Sequence, residues 1–222
     1  MSAKQSSKRP APGRSGPNWV FPAVIGVVVL AGVLAVVLSA VGGSNDTAAP
    51  KAKVEISPEV TVTGAALPRY TGAKVDPAVG LPAPELGSVD FRARDSVAGG
   101  ATGSPYVLAF LAHWCPHCQA EVPRLVAVAK AGRDAGVPVV AVTSGTDRSA
   151  PNYPPSAWLA RERWKGAELL DDRAQTAAQA YGLAGYPYLV WVDANGKVVA
   201  RTSGEIPEGD LPGMFAALAA GK

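Results

Sequence analysis

From Val20 to Val41 the chain runs for 22 residues without a single charge. As a helix that stretch spans roughly 33 Å, against a hydrocarbon core of about 30 Å. It divides the chain, because a soluble core must be built from residue 42 onward. We assign residues 19–41 as a transmembrane anchor. Residues 1–18 carry Lys4, Lys8, Arg9 and Arg14 and no acid, which places this basic tail in the cytoplasm and the long C-terminal part outside it. The competing reading is a cleaved signal peptide. Its apolar region normally runs about 7–15 residues, and a cut after Ala40 sets Leu38 where a small side chain is wanted.

The tail also explains the overall charge. The chain has 21 basic and 18 acidic residues, a formal +3. Removing the tail leaves 17 bases against 18 acids, so the exported part is close to neutral. That excludes a nucleic-acid-binding surface, which needs Lys and Arg gathered on a folded domain. With 24 glycines and 20 prolines but no Gly-X-Y period, a collagen-like rod is excluded too. Two cysteines are too few for a disulfide-stapled scaffold. Residues 42–76 read as an extracytoplasmic linker: Gly42-Gly43-Ser44-Asn45-Asp46-Thr47 is polar, and Pro50 and Pro58 punctuate the rest. Weak alternation at Val54, Ile56, Val60 and Val62 allows a short strand. The domain proper is expected over 77–222.

Within that domain the period of the pattern switches repeatedly. Tyr106–Leu111 and Val137–Val142 are short apolar runs suited to buried strands. A helix is expected from Cys115-Pro116, with proline in its first turn, to a stop near Gly132. Pro154-Pro155-Ser156 introduces a second helix carrying Trp158, Leu159 and Trp164. Asp172 and Gln175 form a capping-box pattern ahead of Ala174–Tyr181. Tyr188–Val192 and Lys197–Ala200, joined through Asn195-Gly196, predict a hairpin with a type I′ turn. Leu211, Met214, Phe215 and Leu218 sit at helical spacing. The alternation implies an α/β fold with a mixed sheet flanked by helices.

Both cysteines and both histidines of the chain fall within His113-Trp114-Cys115-Pro116-His117-Cys118. The pair follows a buried strand and opens a helix, where unpaired N–H groups and the helix dipole favour an anion. Cys115 is therefore expected to form a stabilised thiolate, helped by His117. Cys118, one turn in, is the more buried resolving thiol. A purely structural disulfide is a poor alternative. Closing so short a loop stabilises by about 2 kcal/mol, and a domain of this size has core enough without it. A metal site is also disfavoured, since these four residues cannot easily close a tetrahedron.

Residues from about 77 to 220 resemble the thioredoxin superfamily, specifically its membrane-anchored TlpA/ResA-like extracytoplasmic branch. The resemblance rests on Trp114-Cys115-Pro116-His117-Cys118, on Glu121 followed by Val122-Pro123, and on Gly185-Tyr186-Pro187 ahead of a strand. Asp193-Ala194-Asn195-Gly196-Lys197 and Gly204 match the family's hairpin turn and closing glycine. It implies a thioredoxin-like fold with a cis-proline at Pro187 facing the dithiol. Three positions depart from the pattern. The Pro-His dipeptide is similar to the DsbA oxidases. Ala109 stands where cytoplasmic thioredoxins have a buried aspartate, which leaves Glu121 as the nearby proton acceptor. Tyr186 is bulkier than the family's usual residue before the proline.

The resemblance implies a membrane-tethered protein thiol–disulfide oxidoreductase. Cys115 and Cys118 exchange disulfides, Glu121 moves protons and His117 tunes the thiolate. Trp114, Pro116, Tyr186 and Pro187 contact the substrate backbone. No cofactor is implied beyond a redox-active Cys115–Cys118 disulfide. Expected partners are exported thiol or disulfide proteins and a membrane redox protein at the cytoplasmic membrane. That protein is either a quinone-linked oxidase or a transporter of thioredoxin equivalents. The dipeptide favours the oxidase direction, the architecture the reductase. Blander readings stay open: Glu121 as a solvated helix acid, Trp114 and Tyr186 as packing, Pro187 as a trans strand-entry proline, His113 as a surface or packing residue, Asp171 and Asp172 as helix caps. A copper-binding metallochaperone domain and a redox-inactive binding module are the alternatives from other classes.

Overall fold

A computed structural model of the chain describes residues 53–221. The expected tail, the anchor and the first part of the linker lie outside these residues. No helix among the described residues is long and apolar enough to cross a membrane. In chain order the elements are β1 (Thr61–Thr63), β2 (Glu85–Val89), β3 (Asp95–Ala98), β4 (Tyr106–Leu111), α1 (Pro116–Lys130), β5 (Val139–Thr143), α2 (Pro155–Arg161), β6 (Glu168–Leu170), α3 (Thr176–Ala180), β7 (Tyr188–Val192), β8 (Val198–Ser203) and α4 (Leu211–Ala219).

The run Tyr106–Leu111 becomes the centre of a five-stranded sheet ordered β6-β5-β4-β7-β8. β4 pairs in parallel with β5 and antiparallel with β7. It is apolar at every position because both faces are covered. Side chains alternate across a strand, so Val107, Ala109 and Leu111 join a core with Val122, Leu125 and Val128 of α1 and Phe215 of α4. Tyr106, Leu108 and Phe110 face the other way, onto Ala177, Ala178 and Tyr181 at α3. Helix α1 ends as expected: Gly132 takes φ +65°, the left-handed conformation that suits glycine just beyond a helix.

The hairpin between β7 and β8 differs from the expected turn. A type I′ turn needs positive φ at both central residues, but of Asn195 and Gly196 only Gly196, at φ +75°, has it. The Gly196 N–H bonds the Asp193 carbonyl at 3.0 Å, and the Asp193 carboxylate accepts the N–H groups of Asn195 and Lys197. The aspartate thus organises a longer loop ending in one left-handed glycine.

The expected capping box also resolves differently. Asp172 does cap α3, accepting the Thr176 N–H at 3.0 Å, and Asp171 accepts those of Ala177 and Ala178. Gln175 does not reach back. It sits in the left-handed region at φ 58°, and the helix starts after it.

The linker expected over 42–76 is not loose where it is described. β1 pairs antiparallel with β2, which pairs with β3 in a second, three-stranded sheet. Val54 N–H bonds the Phe91 carbonyl, and Leu67 N–H the Ala180 carbonyl. Val60 and Leu67 are buried. The weak alternation of valines is enough for an edge strand once a partner supplies the hydrogen bonds. Asp76 clamps Arg201 of β8 through Oδ2–Nε at 2.7 Å and a second bond from Nη2. This segment is an ordered strap on the domain.

Candidate functional site

Leaving β4, the chain turns through Ala112–Trp114 and enters α1 with Cys115 as the N-cap residue, at φ −75° and ψ 118°. Proline at the first helical position fixes that entry. The helix then places Cys118 inward. Cys118 is fully buried and Cys115 nearly so, and both are free thiols. Cys115 points its S–H toward the Tyr186 carbonyl at 3.5 Å. The Tyr186–Pro187 peptide is cis, and Gly204, at φ +90°, returns its N–H to the Pro187 carbonyl at 2.8 Å. The β7 entry loop therefore faces the head of α1, with the Tyr186 carbonyl beside the Cys115 sulfur. The Ala112 N–H donates to Cys118 Sγ at 3.4 Å. Burial pushes the Cys118 thiol up despite that bond, and the charges of Cys115 and Glu121 push it further. Cys118 is held as a thiol.

Glu121 is one turn beyond Cys118 and is wholly buried, so the reading of a solvated helix acid is excluded. Its Oε2 accepts the Ile206 N–H at 3.2 Å and Arg124 Nη1 at 3.3 Å. Its Oε1 has no partner. Burial raises its pKa above the ordinary carboxylate value, while the Ile206 N–H and Arg124 oppose the rise. A buried carboxyl with one oxygen unpaired is expensive, and groups of this kind gather where protons are moved.

His117 is exposed and its Nδ1 meets Glu205 Oε1 at 2.8 Å. No hydrogen bond joins it to either sulfur among the described residues. The expected help to Cys115 therefore has no hydrogen bond behind it, and the His117 ring is paired with Glu205 instead. Pro116 begins the helix and contributes no N–H donor.

His113 is not a surface residue: it is 1% exposed. Its Nδ1–H donates to the Pro151 carbonyl at 2.7 Å, and its Nε2 accepts the Asp147 N–H at 3.2 Å. It ties the loop after β5 to the head of α1. Trp114 is tied to the same loop through Nε1–H to the Gly145 carbonyl at 2.8 Å. Its indole meets the Tyr186 ring edge-on at 5.9 Å between centroids. Trp114 is 37% exposed, which leaves an apolar face open beside the dithiol.

The Tyr186 hydroxyl lies 2.9 Å from Ser144 Oγ and 3.0 Å from Gln175 Oε1. Ser144 in turn donates to Asp171 at 2.6 Å. Burial pushes the Tyr186 phenol up to about 12, so it is a neutral donor at physiological pH. Ser144, Gly145, Gln175, Arg124 and Glu205 thus shape the site although none stands out in the sequence. Only Gln175 carried a signal, and as a cap. Both His113 nitrogens are engaged, and among the described residues no group of three or more His, Cys, Asp or Glu side chains is placed to hold a metal ion.

A central mixed sheet, a Cys-x-x-Cys pair at the head of α1 and a cis proline loop facing it define a thioredoxin-like fold of the thiol–disulfide oxidoreductase kind. The Redoxin family model matches residues 72–218, and the chain belongs to that family. Among solved structures, a protein named thiol:disulfide interchange protein DsbE from Chlorobium tepidum superposes with a TM-score of 0.54 at 26% identity, covering 64% of this chain and 97% of that one. The thioredoxin domain of a thiol-disulfide oxidoreductase from Bacteroides vulgatus gives 0.52 at 22% identity, covering 64% and 98%. The latter similarity speaks for the fold alone. Human nucleoredoxin is 28% identical over 100 residues, 45% of this chain and 22% of that protein. The chain spans about a fifth of the length of the curated relatives it matches.

Proposed function

We propose that this protein is a membrane-tethered, TlpA/ResA-like thiol–disulfide oxidoreductase that exchanges disulfides with exported proteins. The observation that carries the reading is the placement of Cys115. Its sulfur sits at the N-terminus of α1 against the Tyr186 carbonyl, with Cys118 buried behind it. Unpaired N–H groups and the dipole of α1 favour the thiolate of Cys115. That thiolate attacks a substrate disulfide, forming a mixed disulfide and releasing one substrate thiolate. Cys118 then loses its proton and attacks Cys115 Sγ. The Cys115–Cys118 bond forms and the second substrate sulfur leaves. Substrate gains two electrons and the dithiol is oxidised. Glu121 takes the Cys118 proton. Trp114, Tyr186 and Pro187 offer an apolar edge beside the dithiol to an extended substrate segment.

The tether is proposed from residues 19–41, with the tail in the cytoplasm and the domain outside. All exchange steps are reversible, so the direction of flow belongs to the partner that resets the pair. A reductase would be recharged by a membrane transporter of thioredoxin equivalents, an oxidase by a quinone-linked protein.

Trapping tests the reading. Cys118→Ser in cells should accumulate mixed disulfides through Cys115 with exported proteins, and Cys115→Ser should accumulate none. If Cys118→Ser traps nothing, the exchange reading fails. Alkylation of the wild-type pair in the same cells assigns direction: mostly reduced marks a reductase, mostly oxidised an oxidase.

A further inference from the structure

Arg124 is shared between two carboxylates. Its Nη1 lies 2.7 Å from Glu205 Oε2 and 3.3 Å from Glu121 Oε2, so the shorter contact goes to Glu205. Glu205 and Ile206 come directly after Gly204, whose N–H is fixed to the Pro187 carbonyl. One short segment after β8 thus supplies the Ile206 N–H to Glu121 and holds the arginine that would otherwise pair with it. The unpartnered Oε1 of Glu121 is what remains.

We propose that Glu205 is a positioning residue for the redox reaction: it draws Arg124 away from Glu121 and so keeps the buried Glu121 carboxyl basic enough to take the proton of Cys118. This rests on the exchange reaction proposed above and specifies what sets its proton step. In that step the Cys118 S–H bond breaks, its proton passes to Glu121, and the sulfur forms the bond to Cys115 as the substrate sulfur departs.

The charged and titratable groups around Glu121 are few. Cys118, at its own helix's start, gains from a basic Glu121, with Cys115 beside it. Beyond the effect of burial, Arg124 on α1 favours the ionised carboxyl, and Glu205 from the segment after β8 opposes it. His117 lies beyond Glu205 and pairs with its other oxygen. Removing the Glu205 charge has two effects of the same sign. Arg124 is left with a single carboxylate to serve, and the negative charge that opposed ionisation of Glu121 is gone. Both make Glu121 a stronger acid and a weaker base, which slows a proton transfer limited by base strength.

The test uses the detergent-solubilised, reduced full chain mixed rapidly with an aromatic disulfide that releases a coloured thiolate in two phases. The first phase reports attack by Cys115, the second resolution by Cys118. In Glu205→Gln the acid limb of the second-phase pH profile should move down by on the order of one pH unit. Its plateau should fall about threefold. Arg124→Gln should move the limb the other way. In the Glu121→Gln background, Glu205→Gln should add no shift. A Glu205→Gln profile superimposable on wild type overturns the proposal, as does the same shift persisting without Glu121. Those failures leave the exchange reading standing, whereas a wild-type chain with no second phase removes that reading and the proposal with it.

Discussion

Asp171 and Glu121 are both buried carboxylates, 2% and 0% exposed, and burial raises the pKa of each. Their surroundings differ in kind. Asp171 sits before α3 and accepts from Ser144 Oγ and from the N–H groups of Asp172, Ala177 and Ala178. Each of its oxygens is used. Glu121 accepts one N–H and shares one arginine, and its Oε1 meets nothing. Satisfied buried groups specify structure, whereas incompletely satisfied ones carry a standing penalty that a domain retains where protons move. The first carboxylate holds the loop and helix that support Tyr186. The second lies one helical turn beyond Cys118.

The contrast is tested most severely at Asp171. Asp171→Ala leaves three N–H groups and a hydroxyl without their acceptor, and should lower unfolding stability by about 3 kcal/mol, read by denaturant titration. A loss as small as that of a surface substitution would mean the network is not structural. Glu121→Gln should do the opposite. It should slow the Cys118 resolution phase on the order of 100-fold, about 2.7 kcal/mol of barrier, while raising stability at pH 8 by about 1 kcal/mol. Unchanged resolution kinetics would return Glu121 to the structural class beside Asp171.

The pH dependence of stability separates the two roles further, with a smaller signal. A carboxyl whose folded pKa lies above its unfolded value, near 4.3 for Glu, binds its proton more tightly in the folded state. The stability it contributes is fully present below the unfolded value and is lost as pH rises through the folded one. Asp76 is shifted down by its pairing with Arg201, and Asp90, against the effect of its burial, by Arg94. Both act in the opposite sense, so the readout must be a difference. The stability of Glu121→Gln relative to wild type should grow from pH 4 upward and then level off. A flat difference would place Glu121 in an ordinary environment.

Tyr186→Phe is the mildest change. It keeps the ring against Trp114 but removes the hydroxyl shared by Ser144 and Gln175, at about 1 kcal/mol. Tyr186→Ala should cut mixed-disulfide yield several-fold more than Phe does, because it also removes the ring beside the sulfur. Equal effects of the two variants would put the weight on the hydroxyl.

What can be read from residue order depends on the range of each interaction. Tyr106–Leu111 is legible as a buried strand because six consecutive apolar residues suit a strand covered on both faces. Cys115 at the head of a helix is legible because strand, proline and apolar period are neighbours in the chain. The Asn195-Gly196 pair misleads because Asp193, two residues before Asn195, organises the backbone with its carboxylate. Gln175 misleads as a cap because its partner, Tyr186, is brought to it by folding. The strap from residue 54 reads as linker because its hydrogen bonds go to Phe91, Asp171 and Ala180.

The 22-residue uncharged run, the near-neutral composition of the chain beyond the basic tail and the single Cys-x-x-Cys were set by residue order alone. These are matters of hydropathy, charge count and covalent spacing, which need no contacts to be defined. Which acid is buried one turn from Cys118, and what surrounds it, was decided only in three dimensions. Glu121 differs from an ordinary helix glutamate because folding buries it and brings to it the Ile206 N–H and an Arg124 shared with Glu205. In a low-dielectric interior, burial and the positions of such neighbours together determine the proton affinity of a carboxyl group.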